Sequence, residues 1–115
     1  MANIYISFYL KLGSVRIFSE ALRQIGSPSR IAICISNDGK SLLLVPYNKA
    51  DLKSHKVPKR AYEPEGRMEI YSNKLCDVIS NKHGWEKNQS YRVPGKLYED
   101  KNYIIFDLTK ALMIL

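Results

Sequence analysis

Two stretches of this chain repeat one pattern. They are "GSVRIFSEALRQIG" at residues 13–26 and "GRMEIYSNKLCDVI" at residues 66–79. Laid over each other without a gap, they share Gly13/Gly66, Ile17/Ile70, Ser19/Ser72 and Leu22/Leu75, and Val15/Met68, Phe18/Tyr71 and Ile25/Val78 are close replacements. Apolar positions and a serine agree together, which marks an internal repeat. A second block extends it at a larger offset: Asp38/Asp100, Leu42/Ile104, Leu43/Ile105 and Leu44/Phe106. The change of offset falls after the helical stretch, where "NKHGWEKNQ" is longer than "GSPS", and loops absorb insertions. A unit of roughly 40 residues cannot easily stabilise itself, so two copies are expected to share one core.

Each copy reads as strand, helix and hairpin. "NIYISFYL" at residues 3–10 is a preceding strand, rich in β-branched and aromatic residues. Val15 and Ile17 then alternate with Ser14 and Arg16 as extended chain. Ser19 is the expected N-cap of a short helix, with Glu20 suiting the helix dipole. Ala21, Leu22 and Ile25 share one helical face, and Gly26 and Pro28 end it. "RIAICIS" and "SLLLVPY" are strands joined by the turn Asn37-Asp38-Gly39-Lys40. In the second copy "RMEIY" is the strand, Ser72 the cap, and Leu75, Val78 and Ile79 the helical stripe, ending near Gly84. "YRVPGKL" and "NYIIFDL" form the second hairpin around residues 98–102, with Pro94 and Gly95 marking a bulge or an edge. The sequence therefore predicts one α+β, β-rich domain over residues 1–115. Repeat one covers about 1–47 and repeat two about 66–115, with an exposed basic linker at about 48–65. The apolar "DLTKALMIL" is expected to be packed or buried at an interface.

A chain of 115 residues with 45% hydrophobic and 25% charged residues can bury one core. Its formal net charge of +7 favours polyanionic partners. Cys34 and Cys76 fit neither a zinc spacing nor a disulfide framework. They read as two small buried hydrophobes in a reducing cytoplasm. "MANIYISFYLKLG" has no basic leader followed by a long apolar run, and no stretch reaches the roughly 20 apolar residues of a membrane helix. A soluble cytoplasmic protein without membrane contact is the expectation.

No phosphate-binding loop, dinucleotide glycine pattern, nucleophile elbow or zinc-protease helix is present. No catalysis, cofactor or metal site is predicted. Cys76 and His83 lie two helical turns apart, too far for direct proton transfer, and read as helix packing. His55 reads as a surface residue. Glu63, Glu65, Glu99 and Asp100 read as turn formers. Tyr5, Tyr71 and Tyr103 fall in strands, where tyrosine is favoured, and packing is preferred over base stacking. Trp85 is expected to cover the core edge.

The basic side chains are the functional lead. Lys53, Lys56, Lys59 and Arg60 crowd the linker. They form either a solvated connector or a contact to a polyanion. Arg16 alternates outward from Val15 and Ile17, Arg23 lies off the Leu22/Ile25 face, and Arg30 opens the first hairpin. With Lys11, Arg67 and Lys74 they form either a positive surface or a scattered solvated face. On a surface, they would hold phosphates and read guanine edges.

Residues 12–26, "LGSVRIFSEALRQIG", followed by "RIAICISNDGKSLLLVP", resemble the AbrB-type swapped-hairpin family. The resemblance rests on Leu12-Gly13, Ile17 before the cap, Glu20, Arg23 and Ile25-Gly26, followed by a hairpin. Having both copies in one chain is similar to the MraZ branch. The resemblance implies two tandem β-α-β-hairpin repeats interleaved about a pseudo-twofold as a swapped-hairpin barrel. It implies a non-catalytic transcriptional regulator that binds double-stranded DNA. The alternative is an accessory module on the same fold, which docks a partner protein or a second copy and does not bind DNA.

Overall fold

The structure is a computed structural model that describes residues 4–51, 53–98, 100 and 102–114. In chain order it contains β1 (Ile4–Tyr9), β2 (Ser14–Phe18), α1 (Ser19–Gln24), β3 (Arg30–Ile35), β4 (Ser41–Pro46) and β5 (Ser54–Lys56). Then come β6 (Arg67–Tyr71), α2 (Asn73–His83), β7 (Ser90–Tyr98), β8 (Tyr103–Asp107) and β9 (Leu112–Ile114). It is a β-rich α+β fold with one curled antiparallel sheet. The strand order is β5-β3-β4-β8-β7-β1-β2-β6, with β9 paired to β7.

Two-residue alternation decides which face is the core. Ile4, Ile6 and Phe8 on β1, Val15 and Ile17 on β2, and Ile104 and Phe106 on β8 are all buried. From α1, Ala21 and Leu22 enter the same core, as does Ile25 just after it; α2 adds Cys76 and Ile79. Trp85 closes one end of the core. It stacks on Tyr91 at 4.5 Å between ring centroids and meets Phe8 edge-on at 5.4 Å.

The pairing registers bear on the internal overlay. On β2 and β6, Arg16 faces Glu69, with Ser14 against Tyr71 and Phe18 against Arg67 at the two ends. On β4 and β8, Leu43 faces Ile105, flanked by Leu42–Phe106 and Leu44–Ile104. In both pairs the central residues are counterparts in the overlay, and the flanking pairs exchange counterparts. The hairpins also agree: Ile33 faces Leu44 as Gly95 faces Phe106, and Ile35 faces Leu42 as Leu97 faces Ile104.

Several local expectations hold. Ser72 caps α2, its Oγ accepting from Leu75 N–H at 3.2 Å, and Gly84 ends the helix in the left-handed region. The Asn37–Lys40 turn joins β3 to β4, with Gly39 at φ +72°. Glu99 and Lys101 of the second hairpin turn lie outside the described residues.

Other expectations need correction. Ser19 does not cap α1. The helix begins on Ser19 itself, whose N–H donates to Gly66 O at 3.0 Å. The buried stripe of α2 is Cys76, Ile79 and Ser80. Val78 is 48% exposed and Leu75 only half-buried, because the longer α2 packs one residue out of phase with α1. Cys34 points outward and is exposed. The linker is more than a connector: β5 within it pairs with β3, and Val57 and Ala61 are buried. Three residues are too few to show a period, yet they cover an edge that β3 would otherwise leave open. β9 docks on β7 by backbone pairing and leaves Leu112 and Met113 exposed.

Pro94 and Gly95 mark a change of partner on β7. Ser90, Tyr91 and Arg92 pair with β9, whereas Gly95 to Tyr98 pair with β8. Proline, which has no N–H to donate, falls between the two. A Cβ on Gly95 would lie 2.6 Å from the Phe106 ring, so glycine is required there by close approach.

Candidate functional site

The residues of β7, β1, β2 and β6 that alternate away from Ile6, Phe8, Val15 and Ile17 form rows across the sheet, with Ser7 and Ser14 fully covered by their longer neighbours. One row runs Arg92, Ser7, Arg16, Glu69, and the next runs Ser90, Tyr9, Ser14, Tyr71. Beyond the first row lie Tyr5 beside Pro94 and Phe18 beside Arg67. Arginine and tyrosine therefore alternate over one face of the sheet. The Arg16 guanidinium sits 4.2 Å from the Tyr9 ring centroid, and that of Arg92 sits 5.2 Å from the Tyr5 ring. Such stacking holds a guanidinium flat without occupying the N–H groups on its edge.

Glu69 gathers the β6 side of this face. Arg16 Nε lies 3.1 Å and Arg67 Nε 3.6 Å from its Oε1. Ser14 Oγ and Tyr71 Oη donate to its Oε2 at 3.1 and 2.8 Å. The Tyr71 hydrogen bond holds the Glu69 carboxyl below the usual carboxylate range. The Ser14 bond and the two arginines act in the same direction, against partial desolvation. Tyr71 is pushed up by the same bond. The Arg16–Glu69 contact is within ion-pair range but lacks hydrogen-bond alignment, so the buried Arg16 Nε–H remains unpaired. Ser7 Oγ, in the middle of its row, is fully buried and also has no partner.

The basic residues predicted from sequence fall into separate groups. Arg16 and Arg67 meet at Glu69, and Arg60 lies close enough to act electrostatically on Tyr71. Arg30 and Lys56 face each other across β3 and β5, where Arg30 Nε donates to Ser54 Oγ at 2.9 Å; Lys53 is exposed just before β5. Arg23 Nη2 donates to Tyr62 O at 2.6 Å, tying α1 to the 3₁₀ turn Lys59–Tyr62, where Lys59 and Arg60 are exposed. Lys11 and Lys74 are exposed on neighbouring segments, joined by the Ser72 N–H to Gly13 O bond.

Sequence reasoning missed Arg92, Ser7, Glu69 and the stacking role of Tyr5 and Tyr9. The signal was available. In "IYISFY", Tyr5, Ser7 and Tyr9 alternate with the buried Ile4, Ile6 and Phe8, just as Arg92 alternates with Tyr91 and Val93. The alternation that placed Arg16 outward places these residues beside it.

Fold and face together define a single-core β-rich domain with a solvent-facing arginine–tyrosine surface. No helix among the described residues is long and apolar enough to cross a membrane. No family model, curated protein or solved structure matches this chain.

Proposed function

We propose that this domain is a non-catalytic, DNA-binding transcriptional regulator, acting in the cytoplasm by occupying an operator or promoter. The carrying observation is the solvent-facing row of Arg16 and Arg92, with Arg67 beside it, on a chain of net charge +7. Phosphate contacts supply affinity, and arginines that reach base edges supply discrimination.

The architecture in this reading is a pair of tandem β-α-β-hairpin repeats about a pseudo-twofold, in the manner of the AbrB-type and MraZ-like proteins that the sequence resembles. The two counterpart-centred registers, Arg16–Glu69 and Leu43–Ile105, support it. So does the exchange of the strands that precede each repeat: β1 pairs with β7, and β5 with β3. The two helices depart from this symmetry, since they bury different positions. The copies also differ on that face of the sheet, Ser14 against Arg67 and Arg16 against Glu69, so the preferred site is an imperfect palindrome.

Titration at low salt against random and genomic duplexes tests the reading. Binding should weaken steeply with salt, because each neutralised phosphate releases counterions. Charge removal at Lys53, Lys56, Lys59 and Arg60 should lower affinity for all sequences alike. Absence of binding at tens of micromolar protein overturns the proposal.

A second reading is favoured by one observation. Leu112 and Met113 expose 65% and 45% of their surface on β9, at the side of β7. This suits an accessory module whose partner is another protein or a second copy of the chain.

A further inference from the structure

We infer that Tyr5, Phe18, Glu20, Ala21 and Arg92 form a binding site for one unpaired guanine base. The inference goes beyond the operator-binding reading and does not rest on it. A base within a duplex is stacked and its Watson–Crick edge is paired, so this site takes a base that is free of both.

These residues line one open hollow of about 240 Å³. Clefts that hold drug-sized ligands run to about 300–1,000 Å³, so this one suits a single planar ring system. Three strands and a helix build it. Tyr5 alternates away from the buried Ile4 and Ile6, and the register that pairs Ile6 with Ile17 brings Tyr5 beside Phe18 at the end of β2. The chain then enters α1, whose first turn carries Glu20 and the buried Ala21. Arg92 comes from β7, two residues before the Pro94 that faces Tyr5.

Three features point to guanine. First, Tyr5 and Phe18 are aromatic rings that are only half-buried, and stacking on such rings favours any base. Second, Glu20 and Arg92 line the hollow together yet make no ion pair. Each is held by another neighbour: the Arg92 guanidinium sits 5.2 Å from the Tyr5 ring centroid, and Gln24 Nε2 donates to Glu20 Oε1 at 3.0 Å. Among the described residues, the Arg92 N–H groups and Glu20 Oε2 have no hydrogen-bond partner. Third, the two groups ask for opposite edges of one ring. A guanidinium lying on an aromatic ring directs its N–H edge sideways, into the plane of a base stacked on that ring. Guanine presents the acceptors O6 and N7 to such a fork, and the donors N1–H and N2–H to a carboxylate. Adenine turns an unprotonated N1 to the carboxylate and N6–H to the arginine, so both groups meet their own kind. A pyrimidine cannot give each group two hydrogen bonds.

The test titrates the ¹⁵N-labelled full chain with guanosine monophosphate to millimolar concentration, and separately with the adenosine, cytidine and uridine monophosphates. Oligothymidine strands carrying one guanine or one adenine follow, then a duplex. The Arg92 Nε–H and Ala21 N–H resonances report the site. Guanosine monophosphate should shift both, and the other three should shift neither. Arg92→Lys keeps the charge and loses the fork, and Glu20→Gln turns one acceptor into a donor. Each should weaken guanine binding about tenfold and melt with the parent chain. Phe18→Leu should weaken it several-fold. Tighter binding of the guanine strand than of the mononucleotide assigns the site to single-stranded nucleic acid, and equal affinity assigns it to a free nucleotide; either supports the site. Guanine binding without duplex binding keeps the hollow and removes the operator reading. Duplex binding with no preference for guanine over adenine in the single strands or mononucleotides keeps the operator reading and overturns the hollow. Guanine-induced shifts that survive Glu20→Gln and Arg92→Lys unchanged also overturn it.

Discussion

Arg16 on β2 lies directly opposite Glu69 on β6, with Nε 3.1 Å from Oε1. The two fall at matching positions of the sequence overlay and carry opposite charges. The pairing joins the strands and also lowers the positive potential of the face that the proposed DNA contact uses.

Glu69→Gln should therefore raise affinity for duplex DNA several-fold at low salt. The side chains are partly exposed, so stability should change by no more than about 1 kcal/mol. A binding isotherm and a thermal melt on the same variant check both parts. An unchanged isotherm would place the DNA contact away from Glu69.

Leu22 is fully buried, and Leu75, its counterpart, is only half-buried. Leu22→Ala should cost on the order of 2–5 kcal/mol, and Leu75→Ala clearly less. Ile79→Ala should take the larger loss on α2, because Ile79 is the residue buried there. Denaturant unfolding of the three variants ranks them.

Gly95→Ala pushes a methyl group into the Phe106 ring and towards Ile104. The β7–β8 pairing must open to admit it, at about 1–3 kcal/mol. The same measurement on Gly26→Ala tests a different cause. Gly26 has open space but φ +91°, so its cost is backbone strain alone.

His55 on β5 is pushed below the ordinary histidine value, first by burial and then by the Arg30 charge. The folded state binds this proton less readily than the unfolded chain. The contribution is fully present above the unfolded value of 6.5 and is lost as pH falls below it. Stability should drop between pH 7 and pH 5, and His55→Gln should flatten that part of the profile. Melts across this range give the answer.

Much of the fold is legible in the residues. Alternation in β1, β2 and β8 identifies the core face, and Ser72, Gly84 and the Asn37–Lys40 turn place the boundaries around them. The less legible parts share a physical cause, a role set by tertiary partners. Ser19 looks like a cap, but the helix already begins on it with Phe18 at the cap position, where the chain is tied to the other half by the Ser19 N–H to Gly66 O bond. β5 has no period of its own and exists because β3 offers an edge. The face of α2 depends on how the helix lies over the sheet, which spacing alone does not fix. At the candidate site Arg16, Arg67 and Arg60 were named from sequence. Ser7 and Arg92 were not, because their significance lies in a cross-strand row that joins opposite ends of the chain.

The pairing of β1 with β7 has a consequence for biosynthesis. β1 is made before the other strands described, and the partner that covers its far edge is made only after α2. Until then β1 has only β2 as a strand neighbour, and the backbone groups along its other edge are open to solvent. Long-range pairing of this kind is slow and exposes strand edges. The nascent chain is therefore most vulnerable to aggregation over the interval in which residues 30–90 are translated. A holdase that shields β1 during that interval should raise the yield of folded protein more than one added after release.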